Sequence, residues 1–298
     1  MRKATGWSIA LVLASLVLTS SISAQKQAQI FLSLIGADGK RVEGLKPDEV
    51  IVTEDGVECK TIKVEPVDWP TKVQVLVDNG RSNTTPVNPL RDGLKEFFAQ
   101  MPDGVELSMY VTAGSPRPIV KPTTDRQKLI DGIPLIAPDN GTGMFFDSLF
   151  EAAERVDKDK TPGYPMIVTL GSDFGAMRLL DRDFQKLQLD VFNHGIVTHV
   201  LLNIGGNGGS TGGAQVDLGI NIAKLSGGRF ENFNGTNRLA TLLPEVGKQI
   251  AKSVELQSHQ YRVTYERPGK PNEKGAAIGL NLRKEGTPHL SLRGTQTS

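Results

Sequence analysis

The sequence predicts an α/β fold: a doubly wound, mostly parallel sheet with β-sandwich-like segments flanking it. Three observations predict it. The run Thr71 to Val77 is β-branched and aliphatic and stops abruptly at Asp78-Asn79-Gly80, as a buried parallel strand does. Apolar runs and helical spacings then alternate along the middle of the chain, the pattern of successive βαβ units. On either side of that region the alternation has period two, which reads as strands alone.

Taken in order, the chain begins with Arg2 and Lys3, an apolar run from Trp7 to Leu18, and small residues up to Ala24. These are the three regions of a secretory signal, and the apolar core is short for a membrane span. Residues 1–24 are therefore expected to be a leader, with export to the periplasm or the exterior and no membrane span once it is cleaved. Residues 25–68 read as a small β module, because Ile30, Leu32 and Leu34 alternate and Asp55-Gly56 makes a hairpin turn after Val50 and Val52. Trp69-Pro70 marks a boundary. Leu90, Leu94, Phe97, Phe98 and Met101 recur at helical spacing after Pro89, a residue suited to a first helical turn. Val105 to Val111 alternates as a strand, and a short helix runs from Thr124 through Leu129. The loop Asn140 to Gly143 precedes a helix marked by Phe146, Leu149, Phe150, Ala153 and Val156. Met166 to Leu170 is a strand ending in Gly171-Ser172-Asp173; Phe184 to Phe192 is helical and Ile196 to Ile204 is a strand. Helices are expected over Val216 to Leu225 and Leu239 to Val254. Residues 69–255 form the α/β domain, and residues 256–298 return to strands at Tyr261 to Tyr265, Ile278 to Leu282 and Leu290 to Leu292, a segment that can pack with the first module.

Composition excludes several classes. With 34 Lys and Arg against 33 Asp and Glu, nothing favours nucleic acid or an acidic membrane surface. The single cysteine, Cys59, allows no internal disulfide and has no His or Asn beside it to make it a nucleophile. His194 and His199 lack zinc spacing. The glycine-rich stretch Gly205 to Gly213 lacks the Gly-Lys-Ser/Thr ending of a phosphate loop. Ser172 lacks a nucleophile elbow. No enzymatic activity is expected.

What remains is a set of oxygen donors: Asp78 and Ser82, Thr142, and Asp173. Each lies in a loop assigned to the carboxyl edge of the sheet, where open α/β sheets bind ligands. Carboxylates and hydroxyls are hard donors, suited to Mg²⁺, Mn²⁺ or Ca²⁺. Asp78-Asn79-Gly80-Arg81-Ser82, Gly141-Thr142 before Phe146-Asp147-Ser148-Leu149, and Leu170-Gly171-Ser172-Asp173 resemble, in that order, the three elements of the metal-ion-dependent adhesion site of von Willebrand factor type A domains. The flanking motifs Val52 to Gly56 and Leu225 to Phe230 are similar to exported bacterial proteins of the acidobacterial branch of that family.

The resemblance implies a protein-binding module. Asp78, Ser82, Thr142 and Asp173 would hold the cation, and an acidic residue of a protein partner would complete it. Two positions depart from the pattern: Gly80 stands where the family has a serine ligand, and Phe174 where it has glycine. Losing one hydroxyl ligand would cost about 1–2 kcal/mol, by analogy with a hydrogen bond to a charged group. Gly80→Ser is therefore expected to raise metal affinity, and Asp78→Ala to remove binding without harming the fold. A metal-free scaffold and a metal-dependent hydrolase are the alternatives. The oligomeric state has no signature in the sequence.

Overall fold

The computed structural model describes residues 27–38, 42–80, 86–173, 181–205, 210–257, 260–268, 277–283 and 287–290. The leader, Ser82, Phe174 and the centre of the glycine-rich stretch lie outside them.

The central sheet is built from β4 (Thr71–Val77), β5 (Glu106–Val111), β6 (Arg117–Thr123), β7 (Tyr164–Ser172), β8 (Val197–Asn203) and β9 (Phe230–Phe233). Its spatial order is β6-β5-β4-β7-β8-β9. Every pair is parallel except β5 with β6. The chain thus runs outward from β4 in one direction, returns, and runs outward from β7 in the other. That reversal places a topological switch point between β4 and β7, the position at which open sheets leave a crevice beyond their carboxyl ends.

Helices cover both faces because alternate strand residues on each face are apolar. On one side α1 (Asn88–Ala99), α2 (Arg126–Gly132) and α6 (Leu239–Gln257) bury Leu94, Phe97, Leu129, Leu243 and Val246 against Val73, Val75 and Met109. On the other, α3 (Phe145–Lys158), α4 (Asp181–Asn193) and α5 (Ser210–Ser226) bury Phe145, Leu149, Leu187 and Ile222 against Leu76, Ile167 and Val200. At about 25 cal/mol per Å² of apolar surface, these two layers dominate the stability of the fold. Two strands were not expected from the sequence. β6 carries Pro118 and Pro122, which cannot donate to a ladder and are tolerated at an edge. β9 has only four residues, too few to show a period.

The two ends of the chain form a second sheet. β1 (Gln27–Ile35), β2 (Val50–Glu54), β3 (Val57–Pro66), β10 (Gln260–Glu266), β11 (Ile278–Leu282) and β12 (Thr287–Leu290) are ordered β11-β2-β3-β10-β1-β12. All its pairs are antiparallel. Laid flat, its edges would stand about 24 Å apart at ~4.8 Å per strand spacing. The links from Leu282 to Thr287 reach at most about 18 Å, so the sheet must curl. Leu32, Val52, Val263 and Tyr265 fill its concave side, where Glu54 receives both Nε and Nη2 of Arg267.

This sheet docks at the amino end of the central one. Trp69 stacks between Phe31 at 5.4 Å and Tyr164 at 5.7 Å, and Ser33 Oγ donates to the Leu256 carbonyl at 2.8 Å. The carboxyl edge of the central sheet is the opposite end.

Candidate metal centre

Asp78 and Asp173 follow β4 and β7, the two strands that flank the switch point. The Asp78 amide still donates to the Leu170 carbonyl at 2.9 Å, so the ladder carries its side chain to the sheet edge, where it is only 1 % exposed. The Gly80 amide donates to Asp78 Oδ1 at 2.8 Å, a local turn of the type aspartate favours.

Asn79 ties three loops together. Its Oδ1 accepts from the Ala113 amide at 3.1 Å, its Nδ2 donates to the Ala137 carbonyl at 2.9 Å, and its own carbonyl accepts from the Asp139 amide at 2.8 Å. The loop carrying Thr142 is held in turn: Asp139 Oδ1 accepts from the Gly141 amide at 2.7 Å, and the Thr142 carbonyl accepts from the Gly114 amide at 2.9 Å.

That loop presses on Asp78 so closely that glycine is needed. A Cβ on Gly143 would lie 2.1 Å from Asp78 Oδ2, and one on Gly80 would lie 2.9 Å from Asp78 Oδ1 and 3.1 Å from the Gly141 carbonyl oxygen. Two expectations change as a result. A serine at position 80 meets the Asp78 carboxylate and the neighbouring backbone before it can offer a ligand, so Gly80→Ser does not simply restore the site. Asp78→Ala removes a buried acceptor from the Gly80 amide, at about 1–3 kcal/mol for an unsatisfied group, so it is not neutral to the fold.

Asp173 differs from Asp78. Its amide donates to the Asn203 carbonyl at 3.1 Å, and its side chain is 4 % exposed. Burial pushes its carboxyl above the usual carboxylate range, while its own amide and that of Gly205 pull the other way. Its Oδ1 is buried and has no hydrogen-bond partner among the described residues, a position open to a cation or a water. The Thr142 side chain is exposed to solvent. No cluster of three or more His, Cys, Asp or Glu residues occurs among the described residues. A metal here would therefore rest on Asp173, Asp78 and hydroxyls, not on a carboxylate cage. Sequence reasoning located these loops and missed the role of Asn79, which appeared there only as a turn residue.

No protein-family model matches the sequence, and no curated protein matches it. Solved structures do. The chain is similar to a von Willebrand factor type A protein from Catenulispora acidiphila, with a TM-score of 0.52 and 11% identity over 92% of this chain and 73% of that one. It is also similar to the pilus adhesin SpaC from Lactobacillus rhamnosus GG in its open conformation, with a TM-score of 0.50 and 11% identity over 83% of this chain and 48% of that one. The central sheet, with its strand order and flanking helices, has the von Willebrand factor type A fold.

Proposed function

We propose that the chain is an exported, non-enzymatic protein-binding module that holds a divalent cation at the carboxyl edge of its central sheet. The observation that carries this is Asp173: a buried carboxylate with an unpartnered oxygen, at the switch point, beside the loop of Asp78. Asp78 and Thr142 would hold the cation directly and Asp173 directly or through water; Ser82 belongs to the same set on the sequence pattern. The donors are oxygens, which favours Mg²⁺, Mn²⁺ or Ca²⁺. When bound, the cation supplies an electrophilic position that a partner carboxylate can fill.

Few protein carboxylates leave residual positive charge on such an ion, so metal and acidic partner bind with mutual reinforcement. Export rests on the leader pattern of residues 1–24; among the described residues no helix is long and apolar enough to cross a membrane. A metal-free scaffold is the second reading, favoured by the closeness of Gly143 to Asp78.

Broadening of amide signals by Mn²⁺ distinguishes the two. The first reading expects selective loss of the Gly141, Gly143 and Asp173 signals, sharpened in its concentration dependence by an acidic peptide and abolished by Asp173→Asn. Broadening that is absent, or scattered over surface carboxylates, supports the scaffold.

A further inference from the structure

The opposite half of the central sheet holds a second candidate site. A cleft of about 550 Å³ opens over the amino-terminal halves of β4 and β5, beside the last turns of α3. This volume lies in the range of small-ligand sites, roughly 300–1,000 Å³. Gln74, Ser108 and Tyr110 contribute polar groups from the sheet, while Trp69, Pro122 and Pro162 make apolar walls.

Arg155 is the side chain that gives the cleft a chemistry. Its guanidinium lies 4.1 Å from the Tyr110 ring centroid, and its Nε donates to Gln74 Oε1 at 2.8 Å. The ring and the amide fix the plane of the fork. Its nearest carboxylate, Glu151, is 3.8 Å from Nη1, beyond a hydrogen bond. Its Nη2 is buried with no hydrogen-bond partner among the described residues. The other basic side chains at the mouth are engaged: Lys72 with Asp159 at 2.7 Å, Lys160 with the Asp157 carbonyl at 2.9 Å, and His194 with Asp157 at 3.1 Å. A partly buried, oriented guanidinium, with Glu151 in ion-pair range but without a full complement of acceptors, is suited to an incoming planar anion.

The surrounding charges select the anion. Glu106, Asp157 and Asp159 stand in the lining against Lys72, Lys160 and Arg155, so charge is balanced before a ligand enters and a singly charged carboxylate leaves less excess charge there than a doubly charged phosphate. We infer that this cleft binds a carboxylate-bearing ligand through Arg155, with the apolar body of the ligand against Trp69. The carboxylate belongs either to a small organic acid or to the chain end of a peptide. This site is independent of the carboxyl-edge loops and does not rest on a metal there.

The test follows the Arg155 Nε–Hε signal of the ¹⁵N-labelled protein. The probes are hippurate, its neutral amide, inorganic phosphate, and a four-residue acetylated peptide with a free or amidated carboxyl end. A saturable shift is expected with the acids, none with the amides, and binding of phosphate weaker by about tenfold or more. Saturation by hippurate alone identifies a free acid; tighter binding of the peptide acid identifies a chain end. Read in the variants from the backbone amide signals of Gln74 and Tyr110, which line the cleft, Arg155→Gln should weaken acid binding by about tenfold or more, the loss expected of a charged hydrogen bond, with Arg155→Lys in between. The comparison of acid with amide in the unaltered protein stands even if a variant fails to fold. Equal shifts with acid and amide, no saturation by any probe, or undiminished binding in folded Arg155→Gln would overturn the assignment.

Discussion

Gly143 and Asp173 are the residues on which the carboxyl edge turns, and they make opposite predictions for stability. Gly143→Ala sets a methyl group against Asp78 Oδ2. It should lower stability by about 1–3 kcal/mol, as overpacking does, readable in the thermal midpoint. Asp173→Asn should do the reverse in the absence of metal. The folded Asp173 carboxyl is held above its ordinary value of 3.8 by burial, so its ionisation is disfavoured in the native state. Its contribution to stability is present below pH 3.8 and is lost as pH rises through the folded value. At neutral pH, where the unfolded chain carries this carboxyl ionised, its raised folded value is a liability to the metal-free protein. Replacement by Asn should raise the midpoint there and remove any midpoint increase caused by Mg²⁺. A variant that melts lower, with the Mg²⁺ effect retained, would assign Asp173 a purely structural part. The sequence made both carboxylates legible because each ends an apolar run. The two-glycine closure over Asp78 was not legible, since a contact between backbone and carboxylate leaves no periodic trace.

Among the elements, β8 carries an internal charge problem. His199 is 2 % exposed, and neither ring nitrogen has a hydrogen-bond partner among the described residues. Burial, reinforced by Arg229, pushes its pKa from 6.5 down to about 4. Between those values the unfolded chain binds the proton and the native strand does not, so stability falls as pH drops through that window. His199→Leu should flatten the slope of unfolding free energy between pH 6.5 and 4, measured by urea denaturation against the unaltered protein. An unchanged slope would mean that other groups set it. The central strands β4, β7 and β8 were legible because buried parallel strands are continuous apolar runs. β6 was not, because Pro118 and Pro122 read as breakers until an edge position is known to receive them.

At the scale of the whole molecule, the two chain ends share one sheet, with β10 between β3 and β1. Removing everything after Gln257 takes away the strand that joins β1 to β3, along with Arg267, the partner of Glu54. Hydrogen exchange should then show β1, β2 and β3 losing protection to near free-chain rates, while β4, β7 and β8 keep theirs. Undiminished protection in β1–β3 would show that the first module is stable by itself. Alternation at each end foretold strands. Which strands pair is a property of the whole curled sheet, and no local pattern carries it.

The central claim is a cation held at the switch point between β4 and β7, and calorimetric titration with Mg²⁺ and Mn²⁺ tests it most directly. Saturable one-site binding is predicted for the unaltered protein, tightened by an acidic peptide. Asp173→Asn and Asp78→Asn, both folded, should bind at least about tenfold more weakly, the loss expected when a charged ligand is neutralised. No detectable binding in the unaltered protein, or binding in both variants undiminished from that of the unaltered protein, would contradict it.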